Sequence, residues 1–234
     1  GAAEHADVTA ELVESGEGRV ALRNLTLSPG AESLAPDAKG LLGLELPIGL
    51  LGAHNAANAL GVALFAASTG GSPEGIRSAL ATFPGVGRRM EVRYERGGIT
   101  ILDDYGHHPT AIDATISTVR LRYPGRPLVL AIEPLTYHRT AALLEPIAHS
   151  CAAADRVFVA DIFAVRDTDL TITSSAALAA AIDRRGVPAE APGSVEATAD
   201  RIADTLPAGA VVLVMGGGRS TDLATRLAKA LEGR

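Results

Sequence analysis

Beyond Gly87, short apolar runs alternate with amphipathic segments, and this alternation restricts the possible folds more than any other feature of the chain. PLVLAI at 127–132 and AVVLVM at 210–215 are near-continuous apolar runs of strand length. Strands that are buried on both faces of a parallel sheet have this character. We therefore predict an α/β fold with a mainly parallel sheet covered on both faces, whose ligands gather at the carboxyl ends of the strands.

The individual elements of this second part follow from hydrophobic periodicity. Strands are predicted at 91–95, 98–103, 127–132, 156–161 and 210–215. Helices are predicted near 110–122, 139–153, 174–185, 194–206 and 220–232.

The first part of the chain has a different pattern. Segments that partly alternate apolar and polar side chains predict three half-buried antiparallel strands, at 7–14, 19–27 and 44–48. Residues 15–18 and 28–40, rich in Gly, Pro and Ser, predict the turns between these strands.

Two helices and a linker are predicted to follow these strands. An Ala-rich segment predicts a helix at 54–68, and Ser72, Pro73 and Glu74 mark the start of a second helix that ends near Thr82. FPGVG at 83–87 is typical of a linker. We therefore predict two domains, a small β-rich piece with two helices at 1–86 and the α/β domain at 87–234.

Charge and composition exclude several classes of partner. The formal net charge is −6, so we expect no binding to nucleic acid, which depends on neutralising phosphates. All but two of the 21 basic residues are arginine, so anions would be bound by guanidinium and backbone N–H groups.

The single cysteine, Cys151, fits a reducing cytoplasm. No apolar run is long enough to span a bilayer, so we expect a cytoplasmic protein with no membrane partner; the sequence does not predict its oligomeric state.

The densest group of polar residues lies in ITILDDYGHHPTAI, residues 99–112. A predicted strand ends there in Asp103 and Asp104, followed by Tyr105 and by two histidines, His107 and His108. Because parallel strands place ligands at their carboxyl ends, we interpret the segment as part of a binding site. The alternative is that an aspartate caps the following turn and the histidines lie on the surface.

Four weaker segments also carry candidate site residues. In LLGAHNAANAL, Asn55 and Asn58 lie three residues apart on one helix face and could bind a heterocycle, unless Asn55 is simply the helix N-cap. In GVGRRMEVR, Arg88 and Arg89 could hold a phosphate or be solvated surface residues.

The remaining two segments follow predicted strands. In IEPLTYHRT, Glu133, Tyr137 and His138 precede Arg139, which could bind a carboxylate or lie on the surface. In VLVMGGGRS, the N–H groups of the glycines at 216–218 could accept an anion or form only a tight turn.

Together and in this order, these segments resemble the Mur ligase family. The motifs are GAHNAANAL, GVGRRMEV, DDYGHHPT, TYHRT and DIFAVRD, and they cover nearly the whole chain. The resemblance is to the branch of UDP-N-acetylmuramate–L-alanine ligases, with some features of the murein-peptide recycling ligases. It implies that residues 1–86 are the C-terminal portion of the central ATPase domain. It also implies that residues 87–234 are the C-terminal Rossmann-like domain.

The resemblance implies an ATP- and Mg²⁺-dependent enzyme that joins a carboxylate to an amine through an acyl phosphate, in peptidoglycan synthesis. The substrates would be UDP-N-acetylmuramate and L-alanine or a short peptide. Nucleotide contacts would come from Asn55, Asn58, Arg89, Asp104, Tyr105 and His107. The amide pair would meet the adenine, and Arg89 and Asp104 would reach the phosphates and ribose. Substrate contacts would come from Arg139, Tyr137 and His108. No catalytic residue and no metal ligand is assigned in this chain.

The sequence also departs from the family pattern. It contains no GxxGK[ST] loop, and the metal ligands are expected upstream, so we expect this chain to be part of a longer enzyme and inactive alone. Glu133, Leu135 and His138 stand where the alanine ligases usually have glutamine, histidine and serine. Both L-alanine and a peptide therefore remain open as the amine, and a non-catalytic nucleotide-binding module remains an alternative. An oxidoreductase is disfavoured because no GxGxxG follows a strand.

Overall fold

The computed structural model describes residues 7–14, 19–34 and 36–233, so the turn predicted at 15–18 lies outside the described residues. The chain divides into two compact units, Gly1–Gly85 (unit 1) and Val86–Arg234 (unit 2). This division lies within the predicted linker at 83–87.

Unit 1 contains a three-stranded antiparallel sheet in the order β1-β2-β3 and two longer helices. Its elements are β1 (Val8–Glu14), β2 (Arg19–Leu27), α1 (Pro29–Leu34), a 3-10 helix (Pro36–Leu41), β3 (Leu46–Leu51), α2 (Ala53–Ser68) and α3 (Pro73–Thr82). A small aliphatic core joins sheet and helices, and the alanines of α2 form its helical side. As predicted, α3 begins at Pro73, and its N-cap Ser72 accepts a hydrogen bond from Gly75 N.

Two predictions for unit 1 need correction. The third strand is Leu46–Leu51 rather than 44–48. The stretch at 28–40, predicted as turn, contains α1 and the 3-10 helix. Pro29 stands at the first position of α1, where its missing N–H and fixed φ favour a helix start, so turn-forming residues there begin a short helix instead.

Unit 2 is a six-stranded sheet in the order β4-β5-β9-β6-β7-β8, parallel except for the antiparallel edge strand β4. Its strands are β4 (Glu91–Arg96), β5 (Ile99–Asp104), β6 (Leu128–Glu133), β7 (Arg156–Ala160), β8 (Ala189–Gly193) and β9 (Val211–Gly216). Its helices are α4 (Pro109–Arg122), α5 (Tyr137–Ala142), α6 (Leu144–Cys151), α7 (Ser175–Asp183), α8 (Val195–Thr205) and α9 (Ser220–Glu232).

Helices cover both faces of this sheet, which confirms the predicted mainly parallel α/β fold. Every residue of β6 and β9 is buried. One core packs α4, α6 and α7 against one face, and a second core packs α8 and α9 against the other. Successive side chains along each strand point alternately into the two cores. Both faces of the strands are therefore buried, and their sequences are continuous apolar runs.

Two elements of unit 2 differ from prediction. The helix predicted at 139–153 is two helices, and they meet at Leu143. Pro146 lies in the first turn of α6. In a continuous helix its ring would clash with the carbonyl group four residues earlier, so the predicted single helix is interrupted before Pro146. Strand β8, AEAPG, was not predicted. Its Pro and Gly disfavour a strand interior and are tolerated because β8 is an edge strand.

In the described part of the chain, no helix has both the length and the apolar character needed to cross a bilayer.

Candidate functional site

The carboxyl ends of the parallel strands of unit 2 bring the predicted site segments of that unit to one edge of the sheet. β6 and β9 remain paired up to Glu133 and Gly216, and β5 ends at Asp104 beside the same part of β9. A parallel bridge between Leu135 and Phe163 continues the contact beyond the ends of β6 and β7. We call this edge, with the loops at 105–108, 134–139, 161–167 and 216–219, the carboxyl edge.

Asp104 is buried, and both of its carboxylate oxygens accept backbone hydrogen bonds. Oδ2 accepts from Met90 N at 3.0 Å, and Oδ1 accepts from Gly106 N at 2.7 Å. Gly106 admits no larger residue without rearrangement, because a Cβ there would lie 2.8 Å from both Asp104 Oδ1 and Met215 Cε. Asp104 therefore fixes the turn after β5, as the capping interpretation predicts. Its contact with a nucleotide remains a prediction.

Asp103 is also buried, but neither of its carboxylate oxygens has a hydrogen-bond partner among the described residues. The nearest charge is Arg88, whose Nε lies 3.8 Å from Asp103 Oδ1. Burial raises the pKa of Asp103, and the nearby Thr221 hydroxyl and Arg88 guanidinium oppose this only in part. Arg88 is therefore the nearest of the few charged groups that compensate for the burial of this carboxylate.

Arg88 connects the start of unit 2 to the loop after β9. Its Nη2 donates to Gly216 O and to Ser220 Oγ, both at 2.7 Å. Its own N–H donates to Glu91 Oε2 at 2.9 Å, which lowers the pKa of Glu91. The backbone of Arg88 has φ 58°, a left-handed conformation that is uncommon for arginine. The surrounding contacts therefore hold this residue in one conformation.

Tyr105 lies exposed on the carboxyl edge between cationic side chains. Its ring centroid is 5.1 Å from the guanidinium carbon of Arg88 and 5.8 Å from that of Arg89. The His107 ring meets it edge-on at 5.5 Å. Arg88 O also accepts a hydrogen bond from Tyr105 N at 2.8 Å. The structure thus brings Arg89, Tyr105 and His107 together, as a planar ring flanked by positive charge.

The anion site predicted at the glycines is already filled by a side chain of the protein. Glu133 is buried, and its carboxylate accepts hydrogen bonds from three successive N–H groups at 2.9–3.1 Å, those of Gly218, Arg219 and Ser220. Burial raises the pKa of Glu133, and these three N–H groups oppose that effect. The turn therefore binds an anion, which is one of the two interpretations of the glycines, and the anion is the carboxylate of Glu133.

Phe163 packs tightly against the loop at 216–219, which makes Gly218 sensitive to substitution. A Cβ at Gly218 would lie 2.4 Å from Cγ of Phe163, whereas one at Gly217 would meet nothing closer than 3.2 Å. We expect Gly218→Ala to lower the free energy of unfolding of unit 2 by about 1–3 kcal/mol, and Gly217→Ala to cost clearly less. All four tyrosines lie in unit 2, so urea unfolding followed by tyrosine fluorescence reports on it. Equal losses for both variants would contradict this packing.

The turn that leads into α5 is held by Asp167 from the loop after β7. Asp167 accepts a short hydrogen bond from Tyr137 N, and its Oδ1 lies 2.9 Å from Nδ1 of His138. Thr136, the N-cap of α5, has φ 59°, and its N–H donates to Phe163 O at 2.9 Å. Arg139 is exposed in the first turn of α5. The loops at 134–139 and 161–167 therefore form one structure.

The other predicted substrate residues lie on the same edge. Tyr137 is half-buried, and His108 is exposed as the N-cap residue of α4, with no side-chain cap bond. Among the described residues, no group of three or more His, Cys, Asp or Glu side chains could hold a metal ion.

Asn55 and Asn58 lie in unit 1, in the first turns of α2. Nδ2 of the half-buried Asn55 donates to Leu51 O at 2.8 Å, and Asn58 is exposed. The N-cap of α2 is Gly52, with φ 90°, so the alternative that Asn55 caps the helix is wrong. The bond to Leu51 fixes the amide of Asn55 and leaves Asn58 available to solvent.

Comparison with known proteins identifies the family. Residues 88–231 match the family described as Mur ligase, glutamate ligase domain. The chain belongs to the Mur ligase family. Among curated relatives, it is 43% identical over 184 residues to UDP-N-acetylmuramate–L-alanine ligase of Acidithiobacillus ferrooxidans, which covers 78% of this chain and 39% of the relative. It is 35% identical over 189 residues to the enzyme of the same name from Chloroflexus aggregans, covering 81% and 40%.

Solved structures support the Mur ligase fold. UDP-N-acetylmuramate-alanine ligase MurC from Thermotoga maritima matches with a TM-score of 0.77 at 19% identity, covering 99% of this chain and 47% of that one. A murein peptide ligase from Psychrobacter arcticus matches with a TM-score of 0.66 at 23% identity, covering 98% and 45%. The chain thus spans about two fifths of the length of the curated Mur ligases it matches.

The sequence does not predict several contacts that shape this Mur ligase domain. These are the contacts of Asp103 with Arg88, of Glu133 with the loop after β9, and of Asp167 with His138. Among the residues that the structure describes, five other than glycine have positive φ, and four of them lie in or beside the carboxyl-edge loops, namely Arg88, Met90, Thr136 and Val165. Such conformations collect at functional sites. Sequence motifs give no direct signal of them.

Proposed function

We propose that this chain is the C-terminal part of an ATP-dependent ligase that joins the carboxylate of UDP-N-acetylmuramate to the amine of L-alanine in the cytoplasm, for peptidoglycan synthesis. The observation that carries the proposal is the 43% identity to the Acidithiobacillus ferrooxidans enzyme of that name, across 78% of this chain. In this role, residues 1–86 are the end of the ATPase domain and residues 87–234 are the amine-binding domain.

The carboxyl edge fits an anionic ligand with a planar ring. Tyr105 offers an exposed ring face, and Arg89 adds a guanidinium that no other described group neutralises. We propose that Arg89, Tyr105 and His107 contact the nucleotide directly. Asp104 acts there mainly by fixing the turn between them. In unit 1, the amides of Asn55 and Asn58 are suited to bind the donor and acceptor edge of an adenine.

ATP would supply the energy that converts the substrate carboxylate into an acyl phosphate, whose carbonyl is electrophilic at neutral pH. The residues of this chain would bind and orient the reactants. Arg139 is suited to hold the carboxylate of the incoming amino acid through paired N–H donors. We propose Tyr137 and His108 as further substrate contacts on the same edge of the sheet. Because the described residues offer no metal cluster, the Mg²⁺ ligands would come from elsewhere in the enzyme.

The test is phosphate release by the complete gene product that contains this chain. With ATP, Mg²⁺ and UDP-N-acetylmuramate present, adding L-alanine should start stoichiometric release of ADP and phosphate. Arg139→Ala should lower kcat/KM for alanine by roughly 10²-fold, because a charge-assisted pair with the substrate is lost. Arg122→Ala, which removes an arginine from the far end of α4, is the matched control. Alanine-independent turnover, or no turnover, would contradict the proposal.

A second candidate amine is a murein-derived short peptide. It is favoured by the structural match to the murein peptide ligase of Psychrobacter arcticus and by the Glu133-Pro134 pair. Replacing L-alanine with a murein tripeptide in the same assay separates the two. Turnover with the peptide and not with alanine would assign the chain to recycling.

A further inference from the structure

His138 and Asp167 form a pair that the proposed reaction does not yet use. Nδ1 of His138 lies 2.9 Å from Oδ1 of Asp167, and the His138 side chain is 63% exposed while that of Asp167 is 11% exposed. No other hydrogen bond engages the His138 ring among the described residues. The ring is therefore anchored at one nitrogen and open to solvent at the other.

The carboxylate of Asp167, which anchors the ring, is fixed in position and charged. The second oxygen of Asp167 accepts from Tyr137 N, so the carboxylate is fixed at both oxygens. Burial acts to raise the pKa of Asp167, but the His138 ring and the Tyr137 N–H outweigh it, and the pKa lies below its usual value. Asp169, the other acid whose charge interacts with His138, also has a lowered pKa, owing to its bonds from Thr171. The ring is therefore anchored by an ionised carboxylate, that of Asp167.

An ionised acceptor at Nδ1 places the proton of the neutral ring on that nitrogen and leaves the lone pair on Nε2. A carboxylate that orients an imidazole in this way is a recurrent arrangement for general bases and for metal ligands. The second role would need further ligands, and no cluster of three such residues occurs in the described part of the chain. The pair has the features of a base.

The His138–Asp167 pair lies where it could meet the amino group of the incoming amino acid. His138 precedes Arg139 on the carboxyl edge, and no described group pairs with the Arg139 guanidinium. An amino acid carries its carboxylate and its ammonium on one carbon, so a cation and a base are needed close together. Thr136, two residues before His138, has a positive φ, a strained conformation for a residue other than glycine. Such strain is typical of functional sites.

We propose that Nε2 of His138, oriented by Asp167, accepts the proton of the incoming amine in the ligase reaction. The inference rests on the proposed function. An N–H bond of the ammonium breaks and its proton moves to Nε2. The neutral amine then attacks the carbonyl carbon of the acyl phosphate and forms the C–N bond, the C–O bond to phosphate breaks, and phosphate leaves with that electron pair. The nitrogen of the new amide loses its second proton to the departing phosphate. His138 afterwards releases the proton to solvent. Asp167 is a positioning residue.

The experiment compares two nucleophiles on the complete gene product. L-alanine is mainly protonated near neutral pH and needs a base, whereas hydroxylamine is already neutral and does not. His138→Asn should lower kcat/KM for alanine by about 10²-fold, within the usual range for loss of a general base. Hydroxamate formation from hydroxylamine should stay within about threefold of wild type. His149→Asn, which removes an exposed histidine on α6, should leave both rates unchanged.

A second variant separates chemistry from structure. In His138→Ala, added imidazole should restore alanine-dependent turnover in proportion to its free-base concentration, and it should have no effect on the wild type. Equal losses with alanine and hydroxylamine, or an alanine rate that survives both substitutions, would overturn the proposal. Absence of phosphate release from the wild type with either nucleophile would instead reject the ligase reaction itself.

Discussion

Arg88→Met is expected to lower the free energy of unfolding of unit 2 by about 3 kcal/mol, because it removes the nearest counter-charge of the buried carboxylate of Asp103. The variant also loses the two hydrogen bonds from Nη2 to Gly216 O and Ser220 Oγ. Methionine keeps much of the apolar volume, so the loss reports mainly on charge and hydrogen bonding. Urea unfolding followed by tyrosine fluorescence measures it.

A double-mutant cycle isolates the charge. Asp103→Asn removes the buried charge with little change of shape, so Arg88→Met should cost clearly less in that background, with a coupling of about 1–3 kcal/mol. Arg89→Met, on the neighbouring exposed arginine, is the matched control and should change stability little. Costs that simply add in the double variant would contradict the account of Asp103.

The pH dependence of the same variant has a definite sign. Burial raises the pKa of Asp103, so its contribution to stability is present below its unfolded pKa and is lost as pH rises through the folded value. Arg88 opposes that increase, so removing it should cost more at about pH 8 than at about pH 5. Asp103→Asn should abolish the difference between the two pH values. A loss that does not change with pH would exclude Asp103 as its cause.

Glu133→Ala is expected to cost unit 2 about 2–4 kcal/mol, because three N–H groups beside the glycines lose their acceptor. Glu133→Gln should cost roughly half as much. Its one carbonyl oxygen can replace Oε2, which accepts from Gly218 and Ser220, but its amide cannot accept from Arg219. Chemical unfolding at a single pH near neutrality compares the two variants.

Anions provide the control for this interpretation. In Glu133→Ala, the freed N–H groups at the start of α9 form a site for sulfate or phosphate. Sulfate should therefore stabilise this variant more than it stabilises the wild type, whose response gives the general salt effect. A cost below about 1 kcal/mol, or equal responses to sulfate, would show that Glu133 does not hold the loop.

The fold of unit 2 could be predicted because its strongest signals are local. PLVLAI and AVVLVM are apolar enough to indicate buried parallel strands without knowledge of their neighbours, and β6 and β9 are the fully buried strands at the centre of the sheet. The same reasoning failed for β8. Its sequence, AEAPG, has no local preference for a strand. The strand forms because it pairs with β7, and this contact cannot be recognised from local sequence.

The candidate site was predictable in its location but not in its internal contacts. Topology alone brings the end of β5 and the glycines after β9 to one edge. The bonds from residues 218–220 to Glu133 span more than 80 positions, and those from Arg88 to the same loop span about 130. Motifs identify such residues, but only packing decides whether Glu133 or a ligand fills an anion site.

The most direct test of the central claim is a titration of this chain with Mg²⁺-ATP, followed residue by residue through backbone amide NMR shifts. If the carboxyl edge binds the nucleotide, the shifts should change saturably, and the changes should be concentrated at Arg89, Tyr105, Gly106 and His107 of unit 2. The opposite edge of the same sheet, at Gly98 and Gly209, should remain unchanged. Changes confined to that opposite edge, or no change at millimolar nucleotide, would contradict the claim that the carboxyl edge binds the nucleotide.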